Sequence, residues 1–217
     1  QQRKKRHRAN SRDLVINKGE QMATYQKTGN QTLITLTRAA ANSVIVGTAV
    51  DVSTKIGGVI NVRFGRRSAT AWTAGVNIRL ESSNRASGNH WHPFAVFTTA
   101  YAACQSQVLG TCAANQNVLA MASTTGITAG DVLFIDNATA ASCEWGRVQS
   151  IVPNTSATLE DALMNAQTGN TIYDSAEIYA PVAIPEGALR VRAVVDGSLF
   201  GQAFAVEIIL STIDGIQ

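Results

Sequence analysis

Charge is scarce in this 217-residue chain: 15% of residues are Asp, Glu, Lys or Arg, against about 25% in an average soluble domain. Ala, Ser, Thr, Asn and Gln take their place. A surface poor in Lys and Glu suits a protein whose faces become buried interfaces. Aromatic residues make up only 6%, and Trp72, Trp91 and Trp145 lie in separate segments. That counts against a carbohydrate-binding module, which needs paired exposed rings. No run of about 18 apolar residues occurs, so no membrane-spanning helix is expected. The basic N-terminus runs into Ala9-Asn10-Ser11-Arg12-Asp13 rather than an apolar stretch, unlike a signal peptide. Long helical periodicity is also missing.

The residues of catalysis and metal binding are equally sparse. Three cysteines, Cys104, Cys112 and Cys143, form no CxxC or Cys/His ligand spacing. Cys104 and Cys112 flank a loop that a disulfide could close, but three reduced thiols are the preferred reading. Of the three histidines, His90 and His92 share a strand face, and His7 sits far away. Two ligands do not make a metal site; the better reading is Trp91 as a core anchor between two rim histidines. The acids Asp131, Asp136, Glu144, Glu160 and Asp161 invite comparison with glycosidase pairs or calcium loops. Turn and helix-start positions explain them better. There is no GxSxG elbow and no phosphate-binding GxxxxGK[ST] loop. No enzymatic activity, catalytic residue, metal or cofactor is expected.

What the chain has in abundance is a period of two. Ile60, Val62 and Phe64 alternate with Asn61 and Arg63, and Val76, Ile78 and Leu80 with Asn77, Arg79 and Glu81. Leu189, Val191 and Ala193 alternate with Arg190 and Arg192, and Phe204, Val206, Ile208 and Leu210 with Ala205 and Glu207. Each reads as a strand with one buried and one wet face. Leu33 to Thr37, Val44 to Val52 and Phe94 to Thr99 are further strands. Gly57-Gly58, Gly65, Gly88-Asn89 and Asp196-Gly197 read as turns between them. The one helical candidate is Glu160 to Gln167, two turns at most.

These patterns predict an all-β protein: a β-sandwich, jelly-roll or Ig-like, built from residues 12–100 and 176–217. Residues 101–175 interrupt it as an inserted small β-barrel, with strands at Val118–Ala122, Asp131–Asp136, Cys143–Val152, Ala157–Leu159 and Thr171–Tyr173. The run Val132 to Ile135 is apolar on both faces. Residues 1–11 form a basic arm, extended or disordered until a partner holds it, because Arg3, Lys4, Lys5, Arg6 and Arg8 carry no apolar neighbour.

Charge is unevenly divided. Residues 1–100 hold 15 Lys and Arg against 4 Asp and Glu, a net +11; residues 101–217 hold 3 against 11, a net −8. Such a split favours association between subunits, or a basic pole meeting an acidic partner, unless the fold mixes the halves.

The stretch Gly126 to Ile135, then Glu144-Trp145-Gly146-Arg147-Val148, then Ala157 to Leu163, resembles a small β-module of tailed-bacteriophage structural proteins. Val76–Glu81 followed by Asn89-His90-Trp91-His92-Pro93-Phe94 resembles the strand, polar loop and Trp pattern of phage sandwich domains, and Arg190 to Asp196 their near-terminal strand. The resemblance implies a virion protein that acts by binding other subunits: the major capsid protein, other virion proteins, and copies of itself as a homo-oligomer. Capsid decoration or cement is the expected function, with a neck or tail ring subunit as the alternative and a carbohydrate-binding module as the rival of another class. For the arm, an acidic protein surface is preferred, and nucleic acid is the other partner, with about five phosphates neutralised. A nuclear-import signal is a weaker option.

Overall fold

A computed structural model of the chain describes residues 25–27 and 30–216. The arm, residues 1–11, lies outside the described residues. Among the described residues there is no α-helix, only a 3-10 turn at Ala140–Ser142. No helix among them is long and apolar enough to cross a membrane.

The strands run β1 (Tyr25–Lys27), β2 (Gln31–Ala39), β3 (Val44–Val46), β4 (Val50–Asp51), β5 (Gly57–Arg66), β6 (Asn77–Ser83) and β7 (His92–Thr98). Then come β8 (Ser106–Val108), β9 (Thr111–Cys112), β10 (Val118–Ala120), β11 (Val132–Asp136), β12 (Glu144–Val152), β13 (Ser156–Leu159), β14 (Gln167–Thr168) and β15 (Thr171–Tyr173). The chain ends with β16 (Glu177–Ile178), β17 (Val182–Ala183), β18 (Arg190–Asp196) and β19 (Phe204–Ile216). Strands β8 to β15 pair only with one another, and the rest pair only among themselves.

The larger group is a sandwich. One sheet has the order β2–β19–β5, with β16 and β17 sharing the far side of β5; the other runs β3 and β4, then β18–β6–β7. Counting β1/β2, which pair consecutive stretches of β19, and β3/β4 and β16/β17 as one position each gives eight positions along the chain. The first sheet holds the first, eighth, third and sixth, and the second holds the second, seventh, fourth and fifth. This is the jelly-roll order. The alternating apolar residues explain it: Ile60, Val62, Phe64, Val206, Ile208 and Leu210 of one sheet meet Ile78, Leu80, Val191, Ala193 and Val195 of the other, all essentially inaccessible to water. Phe64, Phe200 and Phe204 fill the interior, with ring centroids 5.8–6.4 Å apart.

The second group is a curled six-stranded sheet, β10–β13–β12–β11–β15–β8, with β9 and β14 paired beside it. A single bridge between Leu109 and Met121 joins its two edges. Its core is separate: Leu109, Leu119, Leu133, Ile135, Val148, Leu159, Leu163 and Ile172.

Two expectations need correction. The segment Glu160 to Gln167 is not helical. Its amides are taken by other partners: Leu163 donates to the Gln116 carbonyl, and Met164 and Asn165 donate to the Glu144 carboxylate. Eight residues nucleate a helix poorly, and tertiary bonds win. Gly57, Gly58 and Gly65 are not turns but lie inside β5. A Cβ at Gly58 would fall 2.6 Å from the Ser211 carbonyl oxygen, so that glycine marks a close approach of backbones.

Candidate interaction surfaces

The inserted sheet is docked on the outer face of the β2–β19–β5 sheet, and the two apolar faces of β11 explain how. Leu133 and Ile135 point into the insert's own core, whereas Phe134 points the other way and is fully buried against Ala205, Cys143 and Ala176. It lies over Gly65, where a Cβ would come within 2.6 Å of the ring atom Cδ2. Trp145 packs on Phe134 at 5.0 Å between centroids and donates its indole N–H to the Phe64 carbonyl at 3.0 Å. Tyr173 donates its hydroxyl to the Arg67 carbonyl at 3.1 Å. At one side the Asp136 carboxylate sits between Arg38 (3.1 Å) and Arg67 (2.9 Å). Burial pushes the Tyr173 phenol and the Cys143 thiol up, and Asp136 nearby adds to both.

Arg66 and Arg67 look like a solvated basic spot in the sequence, and the structure contradicts this. Arg66 is completely buried. Its guanidinium donates to the carbonyls of Ala102 and Thr70 and lies 5.8 Å from the centre of the Phe200 ring. It thereby ties the start of the insert to the sandwich. The stem is closed further by Glu177, which accepts from the Ala100 amide at 2.6 Å, and by Asp174, which accepts from Gln105 at 2.8 Å. Burial raises the Asp174 carboxyl above its ordinary value. The only sequence signal for this junction was the doubly apolar run at 132–135.

Strand directions give the sandwich two distinct ends. Thr98, Asn77, Asp196 and Val44 lie in one row, at the end from which the insert departs. Beside the stem, Trp72 packs on Gly201, donates to the Leu199 carbonyl at 2.7 Å, and stays 39% exposed alongside exposed Tyr101 and Leu199. The opposite end holds Ser83, Arg190 and the loop 84–91. It also holds β1, because Tyr25 pairs with Ile216 at the far end of β19. The sequence carrying Arg3, Lys4, Lys5, Arg6 and Arg8 therefore joins the fold at the end opposite the insert.

Trp91 is not a core anchor. It is partly exposed, with the guanidinium carbons of Arg190 and Arg192 at 4.8 and 4.3 Å from its ring centre. The strand register explains this, since Arg190 and Arg192 occupy the outer face of β18. His90 and His92 are exposed, and the His90 ring nitrogen lies 3.1 Å from Arg85. Among the described residues, no three His, Cys, Asp or Glu side chains gather as a metal site would need. Cys104, Cys112 and Cys143 are all free; Cys112 is buried in the insert's core and burial raises its thiol. Asp131 caps a turn, accepting from the Thr128 amide and hydroxyl at 2.6 and 3.0 Å. Glu160 pairs loosely with Arg147 at 3.8 Å rather than starting a helix. A cleft of about 670 Å³ separates insert and sandwich, lined by Arg63, Glu207, Glu144, Trp145 and Asp161 among others. No two of the three tryptophans are in ring contact among the described residues.

The chain matches no protein-family model, no curated protein and no solved structure.

Proposed function

We propose that this protein is a structural subunit of a virus particle, a tile that builds the shell by contact with its own copies, with the basic arm on packaged nucleic acid. The observation that carries this reading is the polarity of the jelly roll. The arm-bearing sequence joins one end of the sandwich, and the insert, with its acids Asp131, Glu144, Glu160 and Asp161 against the single cation Arg147, leaves from the other. A tile whose basic sequence enters at one end, and whose acidic insert stems from the other and lies on the outer face of one sheet, has an inside and an outside. Jelly rolls also serve as lectins and ligand-binding barrels, and fold does not fix function. Here the interior is filled by Phe64, Phe200, Phe204 and aliphatic side chains, which leaves the faces, edges and loops as the working surfaces. Few charges on those faces suit burial between subunits.

Decoration of a shell made by another protein, the reading preferred from sequence, shares the same faces. A decoration subunit could use the same polarity, with its arm on an acidic shell surface; the tile is preferred because faces poor in charge suit burial against copies of the same chain. Purified full-length protein mixed with single-stranded nucleic acid at low salt should form closed particles visible by electron microscopy. A protein that stays monomeric alone but binds shells of a different capsid protein would overturn the tile and restore decoration.

A further inference from the structure

The loop 84–91 joins β6 to β7 at the arm-bearing end. Every residue from Asn84 to His90 is exposed, yet the loop is held from below. Arg190 donates from Nε to the Arg85 carbonyl at 2.8 Å and from Nη2 to the Gly88 carbonyl at 2.9 Å. Ser83 Oγ accepts from the Arg85 amide at 3.2 Å. Trp91 covers Arg190 and Arg192. A loop with fixed backbone presents its side chains at low entropic cost.

What it presents is cationic. The Arg85 guanidinium stands exposed beside the His90 ring with no carboxylate in ion-pair range among the described residues. Of the acids at this end, Glu81 is nearly buried and accepts from Arg192 at 2.8 Å with Arg79 at 3.6 Å, Asp214 pairs with Lys55 at 2.5 Å, and exposed Asp51 and Glu186 form no ion pair with Arg85. Asn84, Ser87 and Asn89 add polar donors. The end of the sandwich that carries this loop is the end where the chain enters at Tyr25. Arg8 precedes Tyr25 by 17 positions in the sequence, which bounds their separation at about 56 Å. Arm and loop are thus able to meet one polyanion.

We infer that the loop 84–91, through Arg85, is a second phosphate-contact site for nucleic acid, working with the arm. The inference rests on the shell reading, in which this end faces the packaged nucleic acid. Each phosphate neutralised on a single strand releases counterions and steepens the salt dependence of binding by about 0.7 in log K against log salt. The arm's five cations therefore account for a slope of about −3.5, and the loop adds to it.

The test uses the full chain and a fluorescein-labelled 30-nucleotide oligo-dT, titrated between 50 and 200 mM NaCl. Arg85→Ala should lower the slope magnitude by about 0.7 and weaken binding about three- to ten-fold at low salt. Arg85→Lys should restore the slope. Replacing Arg3, Lys4, Lys5, Arg6 and Arg8 with Ala should remove most of the slope but leave a residue that Arg85→Ala then abolishes. If Arg85→Ala changes neither affinity nor slope while the arm variant abolishes binding, the loop inference fails and the shell reading stands. If the intact protein does not bind the oligonucleotide, both fail. If Arg85→Ala weakens a heparin fragment but not oligo-dT, the loop is a sulfated-glycan site and the inference is overturned.

Discussion

Replacing Gly65 with Ala puts a methyl group into the joint between insert and sandwich. The new Cβ would lie 2.6 Å from Phe134 Cδ2, inside any real carbon–carbon contact. The ring has little room to retreat, because it is fully buried and its cross-strand neighbour Trp145 packs beside it at 5.0 Å between centroids. Overpacking of a closed core costs about 1–3 kcal/mol, and losing the docked Phe134 altogether costs about 1.5–3 kcal/mol. The expected loss is therefore about 2–3 kcal/mol, or roughly 5–10 °C in Tm for a chain of this size. Urea unfolding followed by tryptophan fluorescence reads it out, since Trp145 reports on the joint. The decisive step is the double variant. Phe134→Ala alone should cost about 3–5 kcal/mol through its cavity, but Gly65→Ala added to it should cost little, because the methyl enters vacated space. A coupling of at least about 1 kcal/mol is expected for residues in contact. Additivity within about 0.5 kcal/mol would refute the claim that the two residues meet.

Four further outcomes follow from the same contacts. Asp136→Asn leaves Arg38 and Arg67 without their anion and should cost about 2 kcal/mol, below the range for a fully buried broken pair because both arginines keep some contact with water; chemical denaturation at low and high salt checks it. Asp174→Asn should be more stable than the parent at neutral pH. The parent's carboxyl has a folded-state pKa raised above 3.8 by burial, so its ionisation costs the folded state stability as pH rises through that value; the advantage should vanish as pH falls below 3.8, measured as Tm against pH. Asn154, at φ +53° in the turn closed by the Thr155 amide on the Val152 carbonyl, should lose about 1 kcal/mol on change to Ala and almost nothing on change to Gly. Arg190→Met frees the loop carbonyls at Arg85 and Gly88, so trypsin should cut after Arg85 faster than in the parent while the global Tm moves little.

The sandwich was legible because its strands alternate. Ile60-Asn61-Val62-Arg63-Phe64 can satisfy one buried face and one wet face only as a strand, and the pattern recurs along the chain. Which sandwich it was could not be read, because strand order depends on long-range pairing such as β19 lying between β2 and β5. The segment 160–167 misled because acids before an apolar spacing look like a helix start, whereas the Glu144 carboxylate, some twenty residues upstream, takes its amides. Trp91 misled for a related reason: a lone Trp amid polar residues is usually a core residue, but here two arginines two residues apart on β18 give its ring a partner at the surface. Arg66-Arg67 gave no local hint that one would be buried on carbonyls and the other would clamp Asp136. The arm was legible as a cationic segment from composition alone, whereas the end of the fold it joins required the pairing of Tyr25 with Ile216.

The polarity of the tile is open to direct measurement in assembled particles. Intact particles and free subunits would be treated with trypsin and with a nonspecific protease, and the cleavage sites read by mass spectrometry. The expected result is that residues 1–11 and the site after Arg85 are cut in free subunits and protected in particles, while the insert near Met164, which is 81% exposed, is cut in both. An arm removed from intact particles while the insert is protected would place the cationic end outside and contradict the shell reading.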